Sequence, residues 1–75
     1  MIDRIKDILQ TNNSVEFRIY SLSYIIENKN TDYIIYPKND INRKKIYKSL
    51  DELFKKYEIY NESLKTNEDK IDLNI

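Results

Sequence analysis

The side chains able to do chemistry in this 75-residue sequence are tyrosines, lysines, arginines and carboxylates, because His, Cys and Gly are all absent. Lack of imidazole and thiol removes the usual proton shuttle at neutral pH, the thiolate nucleophile and the commonest zinc ligands. Lack of Gly removes the loops that bring backbone amides close to a phosphate. Ser14, Ser21, Ser23, Ser49 and Ser63 have no His to act as their base. Glu62, Glu68, Asp69 and Asp72 offer oxygen ligands, but neither the spacing nor the Gly of a calcium loop accompanies them. They read more simply as a solvated acidic tail. The expectation is a protein that is not an enzyme, with no catalytic residue, no metal and no cofactor.

Two groups of residues remain as binding candidates. The first is the basic run Arg43, Lys44, Lys45 and Lys48, continued by Lys55 and Lys56, with Tyr47 and Tyr57 interleaved. Residues 33–48 hold five basic groups against one acid, Asp40. Such a stretch can contact phosphates while a Tyr stacks on a base, or it can meet an acidic protein partner. Asp51, Glu52 and Glu58 lie among these lysines and would partly cancel their field. A solvated helix face in a Lys-rich proteome is the plainer reading of the same run. The second group is the tyrosines, whose placement depends on the strands that carry them.

Composition sets the frame. Thirteen Ile, ten Lys, nine Asn and seven Tyr make up more than half of the chain, and Ala is missing along with Gly. That bias follows A+T-rich codons, so the sequence reads as coming from a low-GC bacterium, or from a virus or mobile element living in one. Thirteen basic residues balance thirteen acidic ones, which argues against both a general nucleic-acid coat and an acidic DNA mimic. Charges run through Met1–Asp7, so neither a signal peptide nor a membrane span is expected, and the expected location is cytoplasmic. A chain this short forms one domain, burying about 60% of its unfolded surface. No disulfide can staple it, so nearly every large apolar side chain must be in the core.

The elements follow from periodicity. Ile2, Ile5, Ile8 and Leu9 mark a helix over about 2–10, stopped by Thr11-Asn12-Asn13-Ser14. Val15–Tyr20 alternates with period two and reads as a strand. Parity falters at Ser21-Leu22-Ser23, a sign of a tight turn or bulge. A second strand resumes at Tyr24–Glu27, a four-residue turn follows at Asn28–Thr31, and Tyr33–Tyr36 is the third strand before Pro37. The segment 41–48 is open between a fourth strand and the start of a long helix, with the strand favoured. Ser49 and Glu52 match a capping box, which places a helix over about 50–58. The fold class is therefore α+β: a short N-terminal helix, a three-stranded antiparallel meander (four-stranded if 41–48 joins it) and a C-terminal helix packed on one sheet face. Residues 1–65 make the domain, and 66–75 are a polar tail expected to fray unless it meets a partner, since Ile71, Leu73 and Ile75 are too sparse to define an element.

Two short helices cover only one face of such a sheet. Phe17, Ile19, Tyr24, Ile26, Tyr33 and Ile35 fall on one face. Arg18, Tyr20, Ile25, Ile34 and Tyr36 fall on the other and are expected at the surface. Tyr and Arg beside aliphatic residues is an interface composition. Size and layout are those of many small phage and mobile-element proteins, compact inhibitors of host defence nucleases among them. The functional expectation is a non-enzymatic protein-binding module, an inhibitor or regulator that occludes the surface of a host protein or pairs with itself as a homodimer. Its site is the face of Arg18, Tyr20, Ile25, Ile34 and Tyr36. The alternative is a single-stranded RNA or DNA binder using Arg43, Lys44, Lys45, Tyr47, Lys48, Lys55 and Lys56. Neither reading involves a membrane or a small-molecule cofactor.

Overall fold

A computed structural model describes residues 1–73 of the chain. Helix α1 (Ile2–Asn12) is followed by β1 (Ser14–Ile19), β2 (Leu22–Lys29) and β3 (Asp32–Pro37). A 3-10 turn at Ile41–Arg43 leads into β4 (Lys45–Tyr47) and then helix α2 (Leu50–Lys56). A small hairpin, β5 (Glu58–Ile59) and β6 (Glu62–Ser63), precedes a second 3-10 turn (Glu68–Lys70) and β7 (Asp72–Leu73). The main sheet is antiparallel throughout, with order β4-β3-β2-β1-β7. The class is α+β as expected, with five strands in the sheet in place of three or four. Segment 41–48 resolves as a 3-10 turn and a short edge strand, and the helix begins only where Ser49 caps it.

Each helix is short and depends on its buried face. In α2 the Ser49 hydroxyl accepts from the Glu52 amide at 3.1 Å, Asp51 and Glu52 occupy the first turn, and Lys55 and Lys56 the last. Cap and charges both suit the helix dipole. Leu50, Leu53 and Phe54 are its buried stripe. In α1, Ile5 and Leu9 are buried, and the helix closes on Asn13 in the left-handed conformation. Together these side chains cover the sheet face of Val15, Phe17, Ile19, Tyr24, Ile26 and Ile35, as the alternation predicts. Ile59, Leu64 and Ile71 complete the same cluster from beyond α2.

Hairpin turns account for the first correction. Ile19 pairs with Leu22, which leaves only Tyr20 and Ser21 to reverse the chain, with φ of 52° and 64°. The strand therefore ends before Tyr20, and that side chain leaves the sheet face to which alternation assigned it. Lys29 pairs with Asp32, so the next turn is Asn30-Thr31 and Asn28 belongs to β2. Tyr60 and Asn61 turn the β5–β6 hairpin with φ of 54° and 65°. Paired positive φ values are those of type I′ turns, which match strand twist and normally recruit Gly or Asn.

Residues 66–73 supply the second correction, because the tail is part of the domain. Leu73 pairs with Phe17 and Asp72 with Arg18, adding β7 to the outer edge of β1. Asn67 is buried and its Oδ1 accepts from the Tyr20 hydroxyl at 2.9 Å. The Ile2 amide donates to Glu68 Oε1 at 2.8 Å, and the terminal amine of Met1 lies 3.0 Å from the same oxygen. Glu68 thus caps α1 from the far end of the sequence. Ile71 and Leu73 are sparse locally, but an open sheet edge needs only two alternating residues to accept them. Ile75, read with them as part of the tail, lies outside the described residues.

Replacing Ser21, which is exposed, by Gly keeps the left-handed backbone of the turn and removes the Cβ strain that costs an L-residue about 1–2 kcal/mol, offset by the greater chain entropy of Gly. Ser21→Gly is expected to gain about 0.5–1 kcal/mol and to raise the melting temperature by a few degrees in a thermal scan. Glu68 gives a pH-dependent counterpart. The Ile2 amide and then the terminal amine hold its carboxyl below the ordinary value of 4.5. That stabilisation is complete above the ordinary value and is lost as pH falls through the folded one. Glu68→Ala should cost about 1 kcal/mol at pH 7, as loss of a helix cap does, and distinctly less at pH 3, in paired urea titrations.

Candidate interaction surfaces

The sheet face away from both helices carries three cross-strand rows. Ile46, Ile34 and Glu27 form one; Tyr36, Ile25 and Glu16 the next; Ser23, Arg18 and Asp72 the third. No helix lies over these rows among the described residues, and the buried cluster beneath α1 and α2 is made from the opposite side chains. Ile46 is 55% exposed, Ile25 and Ile34 are half-buried, and Arg18 is exposed. A salt bridge of 3.2 Å between Lys38 and Glu16 borders the patch.

Four of the five residues expected on this face are there. Tyr36 lies on it but is only 8% exposed, which corrects the expectation of a surface ring. It belongs to no cluster beneath the helices, so neighbours on its own face cover it. Burial and then the Glu27 carboxylate hold its hydroxyl above the usual value of 10.0. Tyr20 is absent from the face altogether. At the β1–β2 tip it keeps 41% exposure, lies edge-on to the Tyr60 ring with centroids 5.3 Å apart, and has the Lys70 ammonium 5.4 Å from its own centroid.

The basic run is divided by the fold. Arg43 ends the 3-10 turn, Lys44 is extended, and Lys45 opens β4 on the helix side of the sheet, paired with Ile35. With Lys56 from the end of α2 these three form the wall of a groove of about 740 Å³. Tyr57 and Tyr60 line it as well, and Glu58 is its one acid. Lys48 is elsewhere, bound to Asp32 at 3.1 Å. Lys55 is exposed on α2 outside the groove, and Tyr47 packs against the core instead of standing free.

Arg43 also borders two adjoining concavities of about 560 and 330 Å³, reached past Leu22, Tyr24 and Pro37. Tyr24 stacks on Phe17 at 5.6 Å and meets Tyr57 edge-on at 6.2 Å. Burial pushes the Tyr57 hydroxyl up to about 12, helped by Tyr24 and opposed by the Arg43 guanidinium. Burial likewise raises Tyr24, again against Arg43. Both phenols therefore keep their protons at neutral pH and are available as hydrogen-bond donors beside a guanidinium. Sequence reasoning missed Tyr60 as a groove residue and Tyr24 as lining of the adjoining concavities. The turn that brings Tyr60 here joins two-residue strands, too short to leave a periodic signal.

The acidic residues of the tail serve other ends. Glu68 caps α1 and Asp72 lies in β7 opposite Arg18. Among the described residues no group of three or more carboxylates converges on a site of metal size, and no helix is long and apolar enough to cross a membrane. Comparison with protein families, with curated proteins and with solved structures finds no match to this chain, so the functional reading rests on these two surfaces.

Proposed function

We propose that the protein is a non-enzymatic binding module that acts by occupying the surface of a partner protein. The observation that carries this reading is the open sheet face, on which Ile25, Ile34 and the 55% exposed Ile46 adjoin with no helix over them among the described residues. Charged groups ring that patch: Arg18, the Glu16–Lys38 pair and Glu27. An apolar centre with a charged rim is the anatomy of a recognition surface, the rim guiding encounter and orientation. In a host with an A+T-rich genome, an inhibitor or regulator carried by a phage or mobile element, working by occlusion in the cytoplasm, is the setting that composition and size suggest.

The size of the face limits the complex. Five strands about 4.8 Å apart and six residues at about 3.3 Å each make a panel of roughly 400 Å². A stable interface uses about 800 Å² per partner. A partner that binds tightly must therefore also engage an edge of the sheet, and β4 beside Ile46 is the nearest one. Self-pairing across the bare panel should be weak for the same reason.

Ile46→Lys and Ile34→Lys change side chains on this face without touching the core under the helices. Each variant should keep a melting temperature within a few degrees of the parent. Each should lower affinity for a host protein captured by the wild-type chain at least tenfold in titration calorimetry, while Lys55→Glu, exposed on α2, leaves that affinity within about threefold. Equal capture by all variants would sink the reading. Sedimentation across micromolar concentrations tests the homodimer, which the same two substitutions should dissociate.

A further inference from the structure

Arg43, Lys44 and Lys45 make no ion pair among the described residues, and the only partner of Lys56 is Glu52 at 3.9 Å. Four cations therefore face one concavity whose single carboxylate is Glu58, although the chain as a whole is neutral. The positive field is local and is built by two separate segments, the 3-10 turn with β4 and the end of α2, while the β5–β6 hairpin supplies the acid and the Tyr60 ring. That arrangement is not what a solvated lysine face gives, because a lone helix face would have spread the charges outward.

The aromatic side of the groove is equally specific. Tyr60 is 69% exposed and has a φ of 54°, a conformation that Asn or Gly would hold with less strain. Its ring meets that of Tyr20 at 65° with centroids 5.3 Å apart, and its exposure leaves room for a further planar group. Tyr57 lines the same groove as Arg43, and Tyr24 lines the adjoining concavities with it; the fork geometry of that guanidinium suits phosphate oxygens.

We propose that the groove centred on Arg43 binds a single-stranded nucleic acid, with Arg43, Lys44, Lys45 and Lys56 on successive phosphates and Tyr60 stacked on a base. An acidic polypeptide would satisfy the cations and leave the rings uncovered, so a ligand with both phosphates and planar bases fits the lining better. Arg43 is shared by adjoining concavities of about 740 and 560 Å³, which gives the ligand a path past the guanidinium and favours a strand over one nucleotide. This site lies on the helix side of the sheet, away from the open face, and its dependence on salt and on Tyr60 tests it apart from the protein-binding reading.

The test is fluorescence anisotropy of the full chain with a labelled ten-nucleotide oligouridylate. Contacts to three or four phosphates should weaken binding roughly 20- to 50-fold between about 50 and 200 mM salt. Arg43→Ala should weaken it at least tenfold and reduce the slope of log affinity against log salt by about 0.7. Tyr60→Gly removes the ring and the strained conformation together. A loss of at least fivefold with no fall in melting temperature would therefore report stacking and not unfolding. The proposal is overturned by an absence of binding at 50 mM salt, or by affinity that both substitutions leave within twofold. Equal affinity for polyglutamate would replace it with an acidic protein partner, and uridine monophosphate binding as tightly as the oligomer would refute a strand.

Discussion

Reversing the chain in two residues without glycine is the constraint from which the rest of the structure follows. The Tyr20-Ser21 turn fixes Ile19 against Leu22, and with it Phe17 against Tyr24 and Val15 against Ile26. Because side chains alternate across a sheet, a slip of one residue would send all of these to the wrong face. Turn and core therefore specify the same register. Tyr20, Ser21 and Tyr60 each hold a left-handed backbone at a cost of about 1–2 kcal/mol, and their surroundings must outweigh it. For Tyr20 the compensation is visible: its hydroxyl donates to the buried Asn67 and accepts from Lys70 at 3.3 Å, while its ring meets Tyr60.

That compensation ties the hairpin tip to the tail, and the tail in turn closes the domain. Asn67, Glu68, Lys70 and β7 each contact an element near the start of the chain. Among the described residues, fifteen side chains from α1, β1, β2, β3, α2, β5 and the segments after α2 form one buried cluster, including Ile59, Leu64 and Ile71 from the last third. A small chain without disulfides has little core to spare, so the contribution of these late residues is a requirement and not an ornament. Both helices are then committed to one side of the sheet, and the opposite side is left to solvent.

Much of this was legible in the sequence where the signal is local. The Ile stripe of α1, the alternation of β1, the Ser49–Glu52 capping box and the division of Phe17, Tyr24, Ile26 and Ile35 from Ile25, Ile34 and Tyr36 are all readable from spacing of a few residues. What spacing could not show was decided by distant partners. Tyr20 continues the alternation perfectly and still leaves the strand, because Leu22 pairs with Ile19. Ile71 and Leu73 have no periodicity of their own and become a strand only because β1 has a free edge. Tyr36 lies on the face assigned to it, yet its neighbours there hide the ring. Of the basic run, Arg43, Lys44, Lys45 and Lys56 converge while Lys48, Lys55 and Tyr47 do not, since a strand and a helix separated by a cap point them apart.

The pairing of β7 with β1 also governs the order in which the protein can be completed. Synthesis proceeds from the N-terminus, so α1 and the meander can reach solvent before residues 67–73 leave the ribosome. Until then one margin of β1 offers unpaired amides and carbonyls to any neighbouring chain, and the start of α1 lacks its carboxylate. On a crowded polysome, nascent copies would be at their stickiest during that interval. The closing strand therefore protects the molecule at birth as well as finishing its architecture.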